Sequence, residues 1–178
     1  MKALTIWLTG LPCSGKTTIA TLLAESLIKR GTALEMLDGD VVRTHLSKGL
    51  GFSREDRDTN IRRIGWVCQL LARHGVTTIV AAVSPYRESR DRVRAMIENV
   101  GGAGTFIEVW VRCALEECMK RDVKGMYAKA LRGELQQFTG ISDPYEEPLA
   151  PDVVVETGMD PPPISVQRIM EAMDRMVP

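Results

Sequence analysis

Residues Gly10-Leu11-Pro12-Cys13-Ser14-Gly15-Lys16-Thr17 match G-x-x-x-x-G-K-[ST] at every position. The glycines let the backbone wrap closely around a polyphosphate, and the amides at the start of the following helix point at the anion. The flanking sequence is what this loop requires. Ala3 to Thr9 is a short apolar run suited to a buried parallel strand. Ile19, Leu22, Leu23 and Leu27 then recur at helical spacing, and Lys29-Arg30-Gly31 closes that helix. A strand-loop-helix unit of this kind commits the chain to an α/β fold with a nucleotide at the sheet edge.

The rest of the chain repeats the alternation. Leu34–Leu37, Thr77–Val83, Phe106–Val111 and Val153–Val155 read as further strands. Helices are expected from a capping box at Ser53-Arg54-Glu55-Asp56, with Ile61, Ile64, Cys68 and Leu71 on one face; around Val93, Ile97 and Val100; from Leu115 to Arg121; and after Pro161-Pro162-Pro163, with Val166, Ile169, Met170, Met173 and Val177 inward. Lys124 to Pro151 has weak periodicity and many turn residues. The expectation is one domain over residues 1–178: a five-stranded parallel sheet with helices on both faces, and a lid segment at about 121–151.

With 23 basic and 23 acidic residues the net charge is zero, which argues against a nucleic-acid or membrane-surface binder. The four cysteines form no C-x-x-C pair and there are two histidines, so a zinc site is not expected. Cys68 and Cys113 read as core thiols in a reducing compartment. Neither a signal peptide nor a run of 18 apolar residues is present, so the cytoplasm is the expected location.

A phosphate loop alone leaves a GTPase switch, a motor, a transporter-type ATPase or a small-molecule kinase. The short chain has no N-K-x-D base-recognition sequence, and its late turn-rich segment favours a small kinase. In such an enzyme Lys16 would contact the β/γ phosphates and the Thr17 hydroxyl would hold Mg²⁺. Gly10, Cys13, Ser14, Gly15 and Thr18 complete the candidate ATP site. Asp38-Gly39-Asp40 falls after a strand, where ligand crevices open. Its carboxylates suit magnesium and a hydroxyl nucleophile, or an ordinary Asp-Gly turn. Arg43, Phe52, Arg57 and Asn60 follow across a loop and a helix start. They suit an anionic acceptor carrying an aromatic base, or a solvated charged face.

Several stretches taken together are more specific: Asp38-Gly39-Asp40-Val41-Val42-Arg43, Leu50-Gly51-Phe52-Ser53, Asn60-Ile61-Arg62-Arg63-Ile64-Gly65, Val83-Ser84-Pro85-Tyr86-Arg87, Arg121-Asp122-Val123-Lys124-Gly125-Met126-Tyr127, and Phe138-Thr139-Gly140-Ile141-Ser142-Asp143-Pro144-Tyr145. With them the chain resembles adenylyl-sulfate kinases (APS kinases), P-loop kinases that phosphorylate adenosine 5′-phosphosulfate on its ribose 3′-hydroxyl. The resemblance runs from the phosphate loop to about Pro151. It implies ATP and adenosine 5′-phosphosulfate as substrates, Mg²⁺ as cofactor, a homodimer, and a place in sulfate activation. It also implies that Asp40 lies beside the acceptor hydroxyl and that Asp38 orders magnesium through water. Arg43, Arg57 and Asn60 would hold phosphosulfate and ribose, and Phe52 and Phe138 would sandwich the adenine. Lys124 and Gly125 fall in the lid, Arg121 on the ATP side, and Val83 and Thr139 along the acceptor. Ser84 matches a serine considered as a phosphorylated intermediate in some members; substrate contact is the expectation here, since direct in-line transfer needs no protein nucleophile. Pro12-Cys13-Ser14 departs from the frequent Ser-Gly-Ala, and Cys13 is expected to be a quiet packed thiol. The remaining alternatives are a related kinase with another nucleotide-linked acceptor and a non-enzymatic nucleotide switch.

Overall fold

A computed structural model describes residues 2–176. The elements run β1 (Thr5–Thr9), α1 (Lys16–Lys29), β2 (Leu34–Asp38), α2 (Gly39–His45), α3 (Arg54–Arg73), β3 (Thr77–Ala81), α4 (Arg87–Gly101), β4 (Phe106–Arg112), α5 (Leu115–Arg121), α6 (Met126–Leu131), β5 (Val153–Glu156) and α7 (Pro162–Met176). All strand pairs are parallel, in the order β2-β3-β1-β4-β5, so β1 is central, and the first crossover runs one way along the sheet and the later ones the other. That reversal opens the crevice at the strands' C-terminal ends, where the phosphate loop lies.

Strand alternation sorts the core into two layers. Ile6 and Leu8 of β1 face α1 and α7, packing with Ile19, Leu23, Val166 and Ile169. Trp7 points the other way, into Ile61, Ile64 and Cys68 of α3 and Val93 and Ile97 of α4. Each such side chain, fully buried, contributes roughly 1.5–3 kcal/mol. A third cluster joins Cys113, Cys118, Tyr127, Ala130 and Phe138 with the edge of the phosphate loop at Leu11 and Cys13.

Two elements were not expected. Gly39–His45 is a short helix rather than a turn: Asp38 caps it, its Oδ1 accepting from Asp40 N at 2.9 Å. Met126–Leu131 is a helix inside the turn-rich segment, its first amides bonded by Asp122, which accepts from Tyr127 N and Ala128 N. α2 buries Val42 alone, and α6 only Tyr127 and Ala130, so neither shows an apolar period. Ser53 caps α3, its Oγ accepting from Asp56 N at 3.1 Å, while Asp56 Oδ2 reaches back to Gly51 N at 3.0 Å rather than to Ser53 N. Val93, Ile97 and Val100 do lie on one helix, α4, where Val93 and Ile97 are buried and Val100, in the last turn, is exposed. Leu71 is half-buried, and Val177 lies outside the described residues. No helix among the described residues is long and apolar enough to cross a membrane.

Candidate active site

The phosphate loop is shaped by two glycines. A Cβ on Gly10 would meet Val111 O at 2.5 Å, and Gly15 sits at φ 95°, a left-handed conformation that costs other residues strain. Cys13 also has positive φ, at 60°. Lys16, the first residue of α1, is buried and folds back over the loop. Its Nζ donates to Gly10 O at 3.0 Å and Leu11 O at 2.7 Å. Burial lowers its pKa from 10.5 to about 8. Outside the loop, Thr157 Oγ1 donates to Ser14 O at 2.7 Å, and Arg121 Nη2 donates to Thr157 O at 2.6 Å. Arg121 thus braces the loop from behind, through a strand-end residue, Thr157, that sequence reading passed over. Thr18 is exposed on the first turn of α1.

A chain of polar contacts leads from the loop to the carboxylates. Thr17 Oγ1 donates to Asp38 Oδ2 at 2.8 Å, Asp38 caps α2 through Asp40 N, and Lys124 Nζ pairs with Asp40 Oδ2. Residues 84 positions apart in sequence therefore meet, and the hydrogen bond to Asp40 raises the Lys124 pKa. Both side chains are well exposed, so the pair contributes little to stability, ~0–1 kcal/mol. Lys124 and Gly125 belong to the turn that starts α6, Gly125 at φ 64°.

The other basic residues gather at the start of α3. The Arg43 guanidinium lies 4.5 Å from the centroid of the half-exposed Phe52 ring and donates to Gly51 O at 3.0 Å. Arg57 is buried and works as a clasp. Its Nε donates to Phe52 O at 2.9 Å, its Nη2 donates to Gln137 O at 2.5 Å, and Asp143 lies 3.7 Å away. This brings the Phe52 loop beside the Phe138 turn. Phe138 itself is 9% exposed and rooted edge-on against Tyr127, centroids 5.0 Å apart. Asn60 Oδ1 and Thr139 Oγ1 are buried without a protein partner, which is costly unless a ligand supplies one.

Ser84 lies deeper than a nucleophile should. It is 2% exposed, at φ 48°, and its Oγ accepts from Trp7 Nε1 at 2.9 Å. Val83 offers its carbonyl to Thr9 Oγ1 at 2.7 Å. Burial pushes the Cys68 and Cys118 thiols up to about 12, and all four cysteines are free.

A family model for adenylylsulphate kinase matches residues 2–156. An adenylyl-sulfate kinase of Chloroflexus aurantiacus is 56% identical over 175 residues, covering 98% of this chain and 91% of that protein. The Mycobacterium tuberculosis APS kinase CysC, solved in complex with AMPPNP and APS, is similar at a TM-score of 0.92 and 38% identity, over 97% of this chain and 98% of that one. A hexameric APS kinase from Thiobacillus denitrificans is similar at a TM-score of 0.73 and 34% identity, over 98% of this chain and 29% of that one.

Proposed function

The chain belongs to the adenylylsulphate kinase family, and on that premise we propose how its residues divide the work of adenylyl-sulfate kinase. The activity transfers the γ-phosphoryl group of ATP to the 3′-hydroxyl of adenosine 5′-phosphosulfate. The acceptor O3′ forms a bond to Pγ, the bond from Pγ to the bridging oxygen breaks, and ADP leaves. The hydroxyl proton passes to Asp40. In a loose transition state that proton departs late, so Asp40 acts more by positioning the hydroxyl than by strong basicity.

The observation that carries this reading is the Thr17–Asp38–Asp40–Lys124 chain, which ties the phosphate loop to Asp40, an exposed carboxylate paired with Lys124 of the 121–151 segment. Lys16 and the loop amides would stabilise the moving phosphoryl charge. Among the described residues no group of three or more His, Cys, Asp or Glu could hold a metal alone. The hard oxygens of Thr17 and Asp38, 2.8 Å apart, fit Mg²⁺ shared with the ATP phosphates, Thr17 directly and Asp38 through water. Bound there, Mg²⁺ neutralises phosphate charge. Arg43, Asn60 and Thr139 offer donors and acceptors to phosphosulfate and ribose, and the Phe52 and Phe138 rings would stack on adenine. Arg57 serves mainly by holding those two rings' loops together. Lys124 and Gly125 would move with the 121–151 lid as substrates enter. The free thiols suit the cytoplasm. A homodimer is the expected assembly.

The test is Asp40→Asn in single-turnover transfer at saturating ATP, Mg²⁺ and adenosine 5′-phosphosulfate. The variant keeps the size of the side chain and loses its charge. A fall in kcat of about 10²–10⁴-fold with acceptor affinity nearly intact is expected. An unchanged transfer rate would remove Asp40 from the role and leave Asp38 as the next candidate.

A further inference from the structure

We propose that Arg90, which lies behind the site, is a positioning residue that sets the acceptor wall and the far anchor of the 121–151 segment in one frame. Arg90 sits in the first turn of α4 and is 2% exposed. Its planar fork addresses three chain segments at once. Nε donates to Glu108 Oε1 of β4 at 2.7 Å, Nη1 to Ser84 O at 2.7 Å, and Nη2 to Glu146 O at 2.8 Å. Its charge is balanced by Glu108, itself buried.

Replacing a buried ion pair of this kind by apolar side chains is often neutral or stabilising, so its presence is weak evidence for a stability role. What the fork supplies is geometry, because a lysine ammonium is a single point and cannot present three fixed donors in a plane. The segments it joins converge on the site. The Ser84 turn ends the strand next to β1. The Tyr145 ring lies 5.9 Å from the Arg90 guanidinium carbon, and its hydroxyl is 3.0 Å from Thr9 Oγ1. Thr9 immediately precedes Gly10 and also bonds Val83 O at 2.7 Å. Glu146 closes the loop, its N–H donating to Pro85 O at 2.8 Å and its carboxylate accepting from Arg87 N at 2.9 Å. Arg90 thus joins the Ser84 turn to the end of the 121–151 segment, and Thr9, through Val83 O and Tyr145, links that unit to the root of the phosphate loop. A misplacement of about 1 Å at a reacting centre costs on the order of 10²-fold in rate, so a residue that touches no substrate can govern transfer.

This inference rests on the reading that the Val83–Ser84 turn and the 121–151 segment serve the acceptor. Two variants test it: Arg90→Lys, which keeps the charge opposite Glu108, and the pair Arg90→Met with Glu108→Gln, which removes both charges together. Steady-state kinetics would separate kcat and KM for adenosine 5′-phosphosulfate from KM for ATP, and amide exchange would follow Glu146 N–H. The expected result is a cooperative melt, a fall of about 10–100-fold in kcat/KM for the acceptor, an ATP KM within about twofold, and faster exchange at Glu146. A folded variant with unchanged acceptor kcat/KM overturns the proposal. So does loss of the cooperative melt in both variants, which would make Arg90 a folding residue. Phe138→Leu, within the 121–151 segment, measured alongside separates the two layers: unchanged acceptor binding there counts against the acceptor reading, whereas slow Glu146 exchange in the Arg90 variants counts against the positioning role.

Discussion

Phe52 and Phe138 are proposed to hold the same adenine, yet they stand in different physical settings, and truncating each should have a different signature. Phe52 is 49% exposed and touches no core cluster; its ring lies beneath Arg43 and Arg57. Phe52→Ala gives up cation–π contacts worth ~0.5–1 kcal/mol at such a site, so the fold should barely notice. Lost stacking should weaken acceptor binding by about 1–3 kcal/mol, or about 5–150-fold. Phe138 is buried among Cys113, Cys118, Tyr127 and Ala130. Phe138→Ala removes that packing and leaves a cavity, a loss of ~3–5 kcal/mol for a core phenylalanine. At roughly 2–4 °C per kcal/mol for a chain of this length, the melt should fall by about 6–20 °C. Phe138→Leu restores most of the packing volume without the aromatic face, so it should recover most of the melting temperature and still bind the acceptor weakly. Thermal unfolding with calorimetric titration of adenosine 5′-phosphosulfate, in the presence of a non-hydrolysable ATP analogue, measures both effects. If Phe52→Ala melts as far below wild type as Phe138→Ala, the structural distinction is wrong. If Phe138→Leu binds the acceptor normally, Phe138 is a core residue and no part of the adenine site.

The remaining expectations concern Lys16 and Ser84. Lys16→Ala should abolish most turnover and leave the melt within a few degrees of wild type, because the residue serves developing charge; near-normal turnover would remove it from that role. The lowered pKa of Lys16, about 8 against 10.5 unfolded, means that between those values the unfolded chain binds more protons, so this group makes stability rise with pH across that window. Phosphate binding should recharge the side chain, so ATP binding near pH 8 should take up about half a proton, seen as a difference in calorimetric heat between buffers of different ionisation enthalpy. Lys16→Met should abolish that difference. Ser84→Ala strips Trp7 Nε1 of its acceptor, a loss of ~1–3 kcal/mol of stability. It should retain transfer within about tenfold, and acid-quenched mixtures of the wild-type protein with labelled ATP should show no phosphoserine; label on Ser84 would reverse this assignment.

What could be read from the sequence followed from short-range rules. The phosphate loop is a local code in which Gly10 and Gly15 are required by a backbone clash and a positive φ. The five strands and the long helices follow from apolar runs and periods that a buried sheet imposes on any sequence. Those rules fail where few side chains are buried. α2 and α6 are held by caps from Asp38 and Asp122, which look like turn residues until the chain is folded. They fail again where a role depends on distant partners. Nothing local tells that Thr157 reaches Ser14 O, that Trp7 holds Ser84, or that Arg90 reaches Glu146 O.

The division has a physical origin. Phosphate is bound largely by backbone amides, so the ATP side is written in the residues that shape one continuous loop. The acceptor is a rigid base, a ribose and two anionic groups, and it must be met from several directions. Its candidate contacts therefore come from α2, the start of α3, the turn after β3, and the 121–151 segment. Holding four such segments in register takes donors that span between them. Arg57 between Phe52 O and Gln137 O, Arg90 between Ser84 O and Glu146 O, and Lys124 on Asp40 supply those spans. Each uses a long cationic side chain against a carbonyl or carboxylate, the strong class of hydrogen bond. Two of the three are buried arginines whose forks leave little freedom, while the third is an exposed lysine whose single charge can let go. Within the 121–151 segment, Gln137 and Glu146 are thus held by buried arginines, while the Lys124 turn is held by one exposed charge, which makes that turn the part of the proposed lid that opens most easily.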